Sequence, residues 1–166
     1  VEGITQTGID RYCEDKFYSR LGMSYTLFKP LTRFDRDRIV PTEVDLIFRR
    51  QLVWGDVHDP AAAMLGGVSG HASIFSTAND LAKLMQMFLQ DGTYGGERFF
   101  RPGTVAQFTT APIEGNSCDN RRSLGFDKPA STGPSPAGSL ASSQGFGHTG
   151  FTGTTVWADL ENGLVY

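Results

Sequence analysis

The sequence has no long apolar run. No stretch approaches the roughly 18 consecutive apolar residues that a membrane-spanning helix needs, so we expect no transmembrane segment in this chain. Cysteine is scarce as well: Cys13 and Cys118 form no C-x-x-C motif, and no histidine stands at ligand spacing from either. The sequence therefore predicts no metal site and no cofactor, and it favours free thiols over a disulfide.

A stripe of basic residues is also lacking. The 15 Lys and Arg residues are interspersed with 18 Asp and Glu residues, which leaves a net charge of −3. Because binding to nucleic acid relies on clustered positive charge that displaces phosphate counterions, we expect no nucleic-acid partner. Hydrophobic residues make up 39% of the chain and aromatic residues 11%, which is the composition of a globular domain.

One segment has a clear helical period. Apolar residues recur at i, i+3, i+4, i+7 and i+8 from Leu81 onward, which predicts an amphipathic helix over residues 78–91. Ser76 or Thr77 can cap it, and Gly92 ends it. Weaker patterns predict a helix that begins near residue 4 and closes at Gly22, a helical turn over 43–50 and a short helix over 102–108.

The C-terminal third changes character. Residues 129–145 are rich in Pro, Ser, Gly and Ala, which predicts a flexible loop. Residues 146–159 carry strand formers, and Glu161-Asn162-Gly163 is a turn signal before a return strand at 164–166. Since that return strand has only three residues, we expect a hairpin cut short.

Small residues dominate the segment from Gly147 to Thr154. It contains three glycines at three-residue spacing, with His148 and Thr149 between the first two. Glycine inside a strand marks a bulge or a close approach by another group. Two interpretations stay open at this point: a wall that grips an anionic or carbonyl-bearing ligand, and an ordinary edge strand with small residues.

His148-Thr149-Gly150 resembles the third motif of the serine β-lactamases and penicillin-binding proteins, which is Lys-Thr-Gly in most members and His-Thr-Gly in some carboxypeptidases and esterases. Four further segments resemble the class C-like branch of that superfamily, in the same order along the chain: 17–23, 57–60, 66–84 and 124–127. A lone His-Thr-Gly is a weak signal, whereas the ordered set is specific.

The resemblance implies an α+β fold, in which an antiparallel sheet is flanked by helices and the active site lies beside the strand of the third motif. It implies that His148 is the cation or hydrogen-bond donor of that motif and that Thr149 and Gly150 contact the substrate. The backbone N–H of Phe151 would form half of the oxyanion hole. Gly67 and Ser69, in the glycine-rich loop, are further candidate substrate contacts.

The sequence departs from the family at the nucleophile. No serine is followed three residues later by lysine, and no Tyr-x-Asn or Ser-x-Asn occurs. We therefore expect an incomplete β-lactamase-like domain at 1–166 that lacks the N-terminal strands and the nucleophile's helix. Its parts would be a helical and loop region at 1–128, a flexible loop at 129–145, and the active-site strand with a truncated hairpin at 146–166.

Two other pairs of polar residues could carry chemistry. A Ser69–His71 dyad is disfavoured, because residues at i and i+2 rarely face each other on a helix and the resemblance assigns this loop no nucleophile. His58 and Asp59 could act as an acid–base pair, but Asp59 before Pro60 suits a turn, and a lone histidine is usually structural.

Two functional hypotheses follow. The first is a serine hydrolase that acts on D-alanyl peptides, β-lactams or esters in the bacterial periplasm or another extracytoplasmic space, with this fragment inactive by itself. Its partners would be small-molecule or peptide substrates. The second is a non-catalytic module that binds cell-wall peptide or protein. In either case, apolar surface left uncovered in the fragment predicts non-native self-association.

Overall fold

The computed structural model describes residues 1–110 and 122–166, so Cys118 lies outside the described residues. The described chain forms two compact units, Val1–Asp80 and Leu81–Tyr166. Among these residues, none of the helices combines the length and the hydropathy that a membrane-spanning segment requires. The same residues contain no group of three or more His, Cys, Asp or Glu side chains that could hold a metal ion.

The first unit begins with short helical pieces. The helix predicted from residue 4 is divided into α1 (Glu2–Thr5), α2 (Ile9–Cys13) and a π-helical turn at Glu14–Tyr18. The chain leaves this region at Gly22, whose φ of +67° belongs to the left-handed region that glycine tolerates, as the sequence predicts. Two 3₁₀ turns follow at Pro30–Thr32 and Arg36–Arg38.

The predicted helical turn over 43–50 is wrong. These residues begin a hairpin, in which β1 (Glu43–Asp45) pairs antiparallel with β2 (Gln51–Val53). The carboxylate of Asp45 accepts the backbone N–H groups of the three residues at the tip, Ile47, Phe48 and Arg49. A side chain that satisfies several backbone donors stabilises a tight turn instead of a helix.

The last part of the first unit contains α3 and the first residues of α4. Asp59 caps α3 (Pro60–Met64) by accepting the N–H of Ala62. The predicted amphipathic helix forms as α4 (Ala78–Leu89), with the Thr77 hydroxyl accepting the Asp80 N–H. Asp80 is fully buried, and its carboxylate accepts the Tyr25 N–H at 2.7 Å and the Thr26 hydroxyl at 3.2 Å. These bonds fix the start of α4 against the 23–27 segment.

The second unit contains a small hairpin and a three-stranded sheet. The hairpin joins β3 (Thr93–Tyr94) to β4 (Glu97–Arg98), and α5 (Thr104–Thr109) follows it. The sheet has the order β5–β6–β7, all antiparallel, and its strands are β5 (Gly145–Thr149), β6 (Thr155–Asp159) and β7 (Leu164–Val165). The return strand is therefore present, and the segment with strand formers at 146–159 forms two strands joined by a turn.

The core of this unit lies where α4 covers the sheet. Met85, Phe146 and Ala158 are buried, and six half-buried side chains pack against them: Phe88, Leu89, Phe126, Val156, Leu160 and Val165. Phe126 and Phe146 pack edge to face, with ring centroids 5.2 Å apart. This core holds β5 in place from one side and leaves its C-terminal end in solvent.

Candidate active-site strand

The His-Thr-Gly segment stands at the solvent end of β5. His148 pairs with Val156 and Thr149 with Thr155, and both motif residues are exposed, whereas Gly145–Gly147 are buried. The Gly150 N–H donates to the Thr154 carbonyl at 2.7 Å and closes the turn. Phe151 lies in this turn and is 94% exposed.

Packing inside the hairpin accounts for the glycines. A Cβ at Gly147 would collide with the Val156 carbonyl and with the indole of Trp157, which is fully buried. A Cβ at Gly150 would collide with the Thr154 hydroxyl, and Gly153 has φ +89°. The spacing of these glycines follows from the fold of the hairpin and is no evidence for a ligand.

Both ring nitrogens of His148 are engaged. Nδ1 lies 2.6 Å from the Thr149 carbonyl, which can only accept, so Nδ1 carries the proton. Nε2 lies 3.3 Å from Nη2 of Arg122, and since a guanidinium can only donate, Nε2 accepts. In this geometry neither ring nitrogen has a donor left for a ligand.

Arg122 is a residue that the sequence did not single out. It lies two residues before the Leu124-Gly125-Phe126-Asp127 segment that carries part of the family resemblance, and only the folded chain brings it to the motif. Asp127 pairs its backbone with Gly147 of β5, through N–H to O distances of 2.8 and 3.0 Å. Nη1 of Arg122 lies 3.1 Å from Oδ1 of Asp127, so the guanidinium is held between that carboxylate and His148.

The glycine-rich loop belongs to the first unit. Gly66 and Gly67 have φ of +81° and +79°, and their N–H groups donate to Ala63 and Ala62 at the end of α3. Gly67 lies under the side chain of Lys29, on the wall of an open cavity of about 480 Å³. The glycines therefore terminate the helix and allow this close approach.

Ser69 and His71 do meet, contrary to the expectation from spacing. Ser69 Oγ lies 2.6 Å from His71 Nδ1, because residues 69–71 are not helical and the i, i+2 argument does not apply to them. His71 Nε2 lies 3.0 Å from Oδ1 of Asp59, the oxygen that also accepts the Ala62 N–H. The three side chains form a continuous hydrogen-bonded series.

The charge on Asp59 determines which atoms donate and which accept in these hydrogen bonds. The backbone N–H of Ala62 and then the imidazole of His71 hold the pKa of Asp59 below its usual value, so it is ionised at neutral pH. In the tautomer with its proton on Nε2, His71 donates to this carboxylate, and its Nδ1 accepts a hydrogen bond from the Ser69 hydroxyl. Ser69 is only 8% exposed, so we interpret the series as ordering the loop.

The structure does not pair His58 with Asp59. His58 Nε2 lies 2.9 Å from Oε1 of Glu43 in β1, whereas Asp59 binds His71 and the start of α3. The two residues are thus directed to different elements of the first unit.

A known protein family and curated relatives match nearly the whole chain. A family model described as Beta-lactamase matches residues 1–166. Proteins of Escherichia coli (strain K12) and Salmonella schwarzengrund, each named "Putative D-alanyl-D-alanine carboxypeptidase", are 39% and 41% identical over 98% of this chain. The chain spans only 39% and 40% of the length of these two relatives.

Two solved structures share the fold. A β-lactamase from Mycobacterium bovis has a TM-score of 0.63 at 21% identity, over 99% of this chain and 48% of its own. The octameric penicillin-binding protein homologue from Pyrococcus abyssi has a TM-score of 0.64 at 18% identity, over 99% of this chain and 34% of its own. The predicted fold class, a partial α+β fold of this kind, is confirmed.

Proposed function

Because the chain belongs to the β-lactamase family, we propose that it is part of a serine hydrolase that works through an acyl-enzyme intermediate. Its substrates would be D-alanyl peptides, β-lactams or esters of the bacterial cell envelope. The observation that carries the proposal is the exposed His148-Thr149-Gly150 segment at the end of β5, on a chain that resembles the family along its whole length.

Thr149 and the neighbouring Phe151 have proposed tasks. The Thr149 hydroxyl would bind an oxygen of the substrate, and the Phe151 N–H would contribute to the oxyanion hole. One such donor typically stabilises the transition state by about 3 kcal/mol. The proposed contacts of Gly150, Gly67 and Ser69 with substrate remain predictions, and the buried hydroxyl of Ser69 is the least accessible of them.

The attacking hydroxyl is proposed to come from outside these 166 residues. A serine hydroxyl is a poor nucleophile until a neighbouring base takes its proton, and no Ser-x-x-Lys occurs in this sequence. We therefore propose that the chain alone is inactive. An extracytoplasmic location is proposed because the relatives carry the name of an enzyme for D-alanyl-D-alanine, a component of the cell wall.

Release of D-alanine tests the proposal. The complete gene product should release D-alanine from an acyl-D-alanyl-D-alanine peptide, and the 166-residue chain should release none. Release by the chain alone would show that the attacking group lies within it. If the complete product binds the peptide without cleaving it or acylating any serine, the alternative of a non-catalytic cell-wall binding module replaces the hydrolase.

A further inference from the structure

The β1–β2 hairpin has one packed face and one apolar face that is open to solvent. Asp45 and Val53 are buried on the packed face. On the other face, a cross-strand pair of apolar residues continues into the tip of the hairpin. Soluble proteins rarely leave such a group of apolar side chains uncovered without a binding role. The apolar hairpin surface consists of five side chains that are 45–89% exposed: Val44, Leu46, Ile47, Phe48 and Leu52.

The hairpin is held firmly to the first unit. Asp45 accepts the three N–H groups of the tip, as described above. Arg49 donates to the backbone carbonyls of Val57 and His58 at 2.6 and 3.1 Å, and Glu43 pairs with the His58 ring. Because a turn that is already ordered loses little conformational entropy on binding, the apolar tip is preorganised for contact.

Arginines are in excess around this surface. Residues 33–50 contain five arginines and four acidic residues, although the whole chain has a net charge of −3. Two of the acids are occupied, since Asp45 is buried in the tip and Glu43 pairs with a histidine. The two exposed acids, Asp35 and Asp37, alternate with arginines and reduce the positive potential without reversing it. The apolar surface therefore lies in a locally basic segment.

Basic groups lie at both ends of the hairpin. Arg50 is exposed at the end of the tip, and no carboxylate among residues 1–110 and 122–166 pairs with it. At the base, the indole N–H of Trp54 donates to the Ile39 carbonyl at 2.6 Å and ties the Arg36–Arg38 turn to the hairpin. The Arg36 guanidinium lies 6.0 Å from the Trp54 ring centroid. Each strand has three residues, so about 10 Å of extended chain separates base and tip.

We propose that the apolar hairpin surface binds a membrane that contains anionic lipids. The tip side chains enter the acyl boundary, and Arg50 and the Arg36–Arg38 turn bind lipid phosphates. The distance of about 10 Å from tip to base matches the depth at which interfacial segments enter a bilayer. A bilayer accepts a small projecting tip, whereas a stable protein interface needs about 800 Å² from each partner.

This inference goes beyond the proposed function and does not depend on it, because membrane binding requires no catalytic residue. In water, a second copy of the chain is the partner available to cover the same side chains. Anionic vesicles in excess should therefore replace self-association of the chain by binding to lipid.

Flotation with lipid vesicles tests the inference. The 166-residue chain should float with vesicles that contain phosphatidylglycerol and much less with phosphatidylcholine alone, and added salt should weaken its binding. Ile47→Glu should weaken binding about tenfold or more, because a charged side chain does not enter the acyl boundary readily. Ile4→Glu is the matched control: Ile4 is 90% exposed in α1, and the added charge is the same. It should leave the affinity unchanged.

Arg50→Gln and Arg101→Gln separate a local effect from one of net charge. Each removes the positive charge of an exposed arginine, but only Arg50 lies at the tip of the hairpin. Arg50→Gln should weaken binding to anionic vesicles about fivefold, as for one basic residue at a membrane surface. Arg101→Gln should have no such effect. Equal effects within each matched pair, or a wild-type chain that does not float, would overturn the inference.

The complete gene product shows whether another part of the protein covers the hairpin. If the tip faces lipid, Ile47→Glu should leave the urea midpoint of the complete product unchanged. A midpoint that falls in Ile47→Glu but not in Ile4→Glu would show that the hairpin packs against protein, and the membrane role would be wrong. An oligomer of the chain that persists in excess anionic vesicles would assign the surface to a second copy and overturn the inference as well.

Discussion

Ser69 Oγ lies 2.6 Å from Nδ1 of His71, and Nε2 of the same ring lies 3.0 Å from Oδ1 of Asp59. Serine, imidazole and carboxylate in hydrogen-bonded sequence resemble a catalytic triad, which is recognised by geometry instead of chain order. The imidazole is reversed relative to a Ser-His-Asp triad, in which serine contacts Nε2 and the carboxylate contacts Nδ1. Here serine contacts Nδ1 and the carboxylate contacts Nε2. Ser69 is also nearly buried, so we assign the series to loop structure.

Ser69 should therefore not react as a nucleophile. When the chain is incubated with a fluorophosphonate and digested for mass spectrometry, we expect no adduct on Ser69, because a buried hydroxyl is not reached. The His71→Ala variant is the control, and it should give the same negative result. An adduct on Ser69 that disappears in His71→Ala would instead establish a working triad.

Gly147→Ala should destabilise the second unit strongly. The added Cβ meets a backbone carbonyl and the buried Trp157 indole, neither of which can move without disturbing the β5–β6 pairing. Overpacking of this kind costs about 3 kcal/mol, measured as a lower urea midpoint at an unchanged m-value. Gly3→Ala in α1 is the matched control, since no atom lies within 4 Å of its added Cβ. Equal midpoints for the two variants would contradict the packing described.

The stability of the second unit should fall in acid through Asp159. Burial by itself would raise the pKa of this carboxyl, but hydrogen bonds from Ser142 and Asn162 outweigh it and hold the pKa well below its usual value. A depressed pKa contributes stability above the unfolded-state pKa of about 3.9 and loses it as pH falls toward the folded value.

Asp159→Asn isolates that contribution. The difference in unfolding free energy between wild type and variant should be about 2 kcal/mol near pH 6, as for a buried charged hydrogen bond. It should shrink on titration from about pH 4 downward. A difference that stays constant from about pH 6 to about pH 3 would show that the charge of Asp159 does not stabilise the fold.

The tip of the β1–β2 hairpin should promote self-association of the chain. Leu46 and Ile47 are 77% and 89% exposed, on a turn that Asp45 holds rigid. Exposed apolar side chains grouped in this way favour association. Light scattering should show a species larger than the monomer, and Ile47→Glu should shift it toward the monomer. A wild-type chain that is monomeric at high concentration would contradict this prediction.

Local patterns in the sequence predicted the elements that local forces decide. The apolar period from Leu81 to Leu89 and the cap at Thr77 defined α4, because both act within one helix. The turn at Glu43–Arg50 was predicted wrongly, since the Asp45 side chain satisfies three backbone donors and favours a hairpin over a helical turn. Propensity alone does not reveal such a competition.

The candidate site was predictable only in part. His148 and Thr149 were identified through the resemblance, but the partner of His148 was not, because Arg122 reaches it through bridges between segments distant in sequence. The Ser69–His71 contact was judged with a rule for helices that this loop does not obey. Both missed contacts, Arg122 with His148 and Ser69 with His71, form because the backbone of a loop brings the two side chains together.

The acyl-enzyme itself provides the most direct measurement. The complete gene product should be incubated with a fluorescent penicillin or a fluorophosphonate, and the modified residue located by mass spectrometry. We expect one covalent adduct, on a serine that is followed three residues later by lysine and that lies outside these 166 residues. A folded, complete protein with no serine adduct, tested beside a penicillin-binding protein that labels under the same conditions, would contradict it.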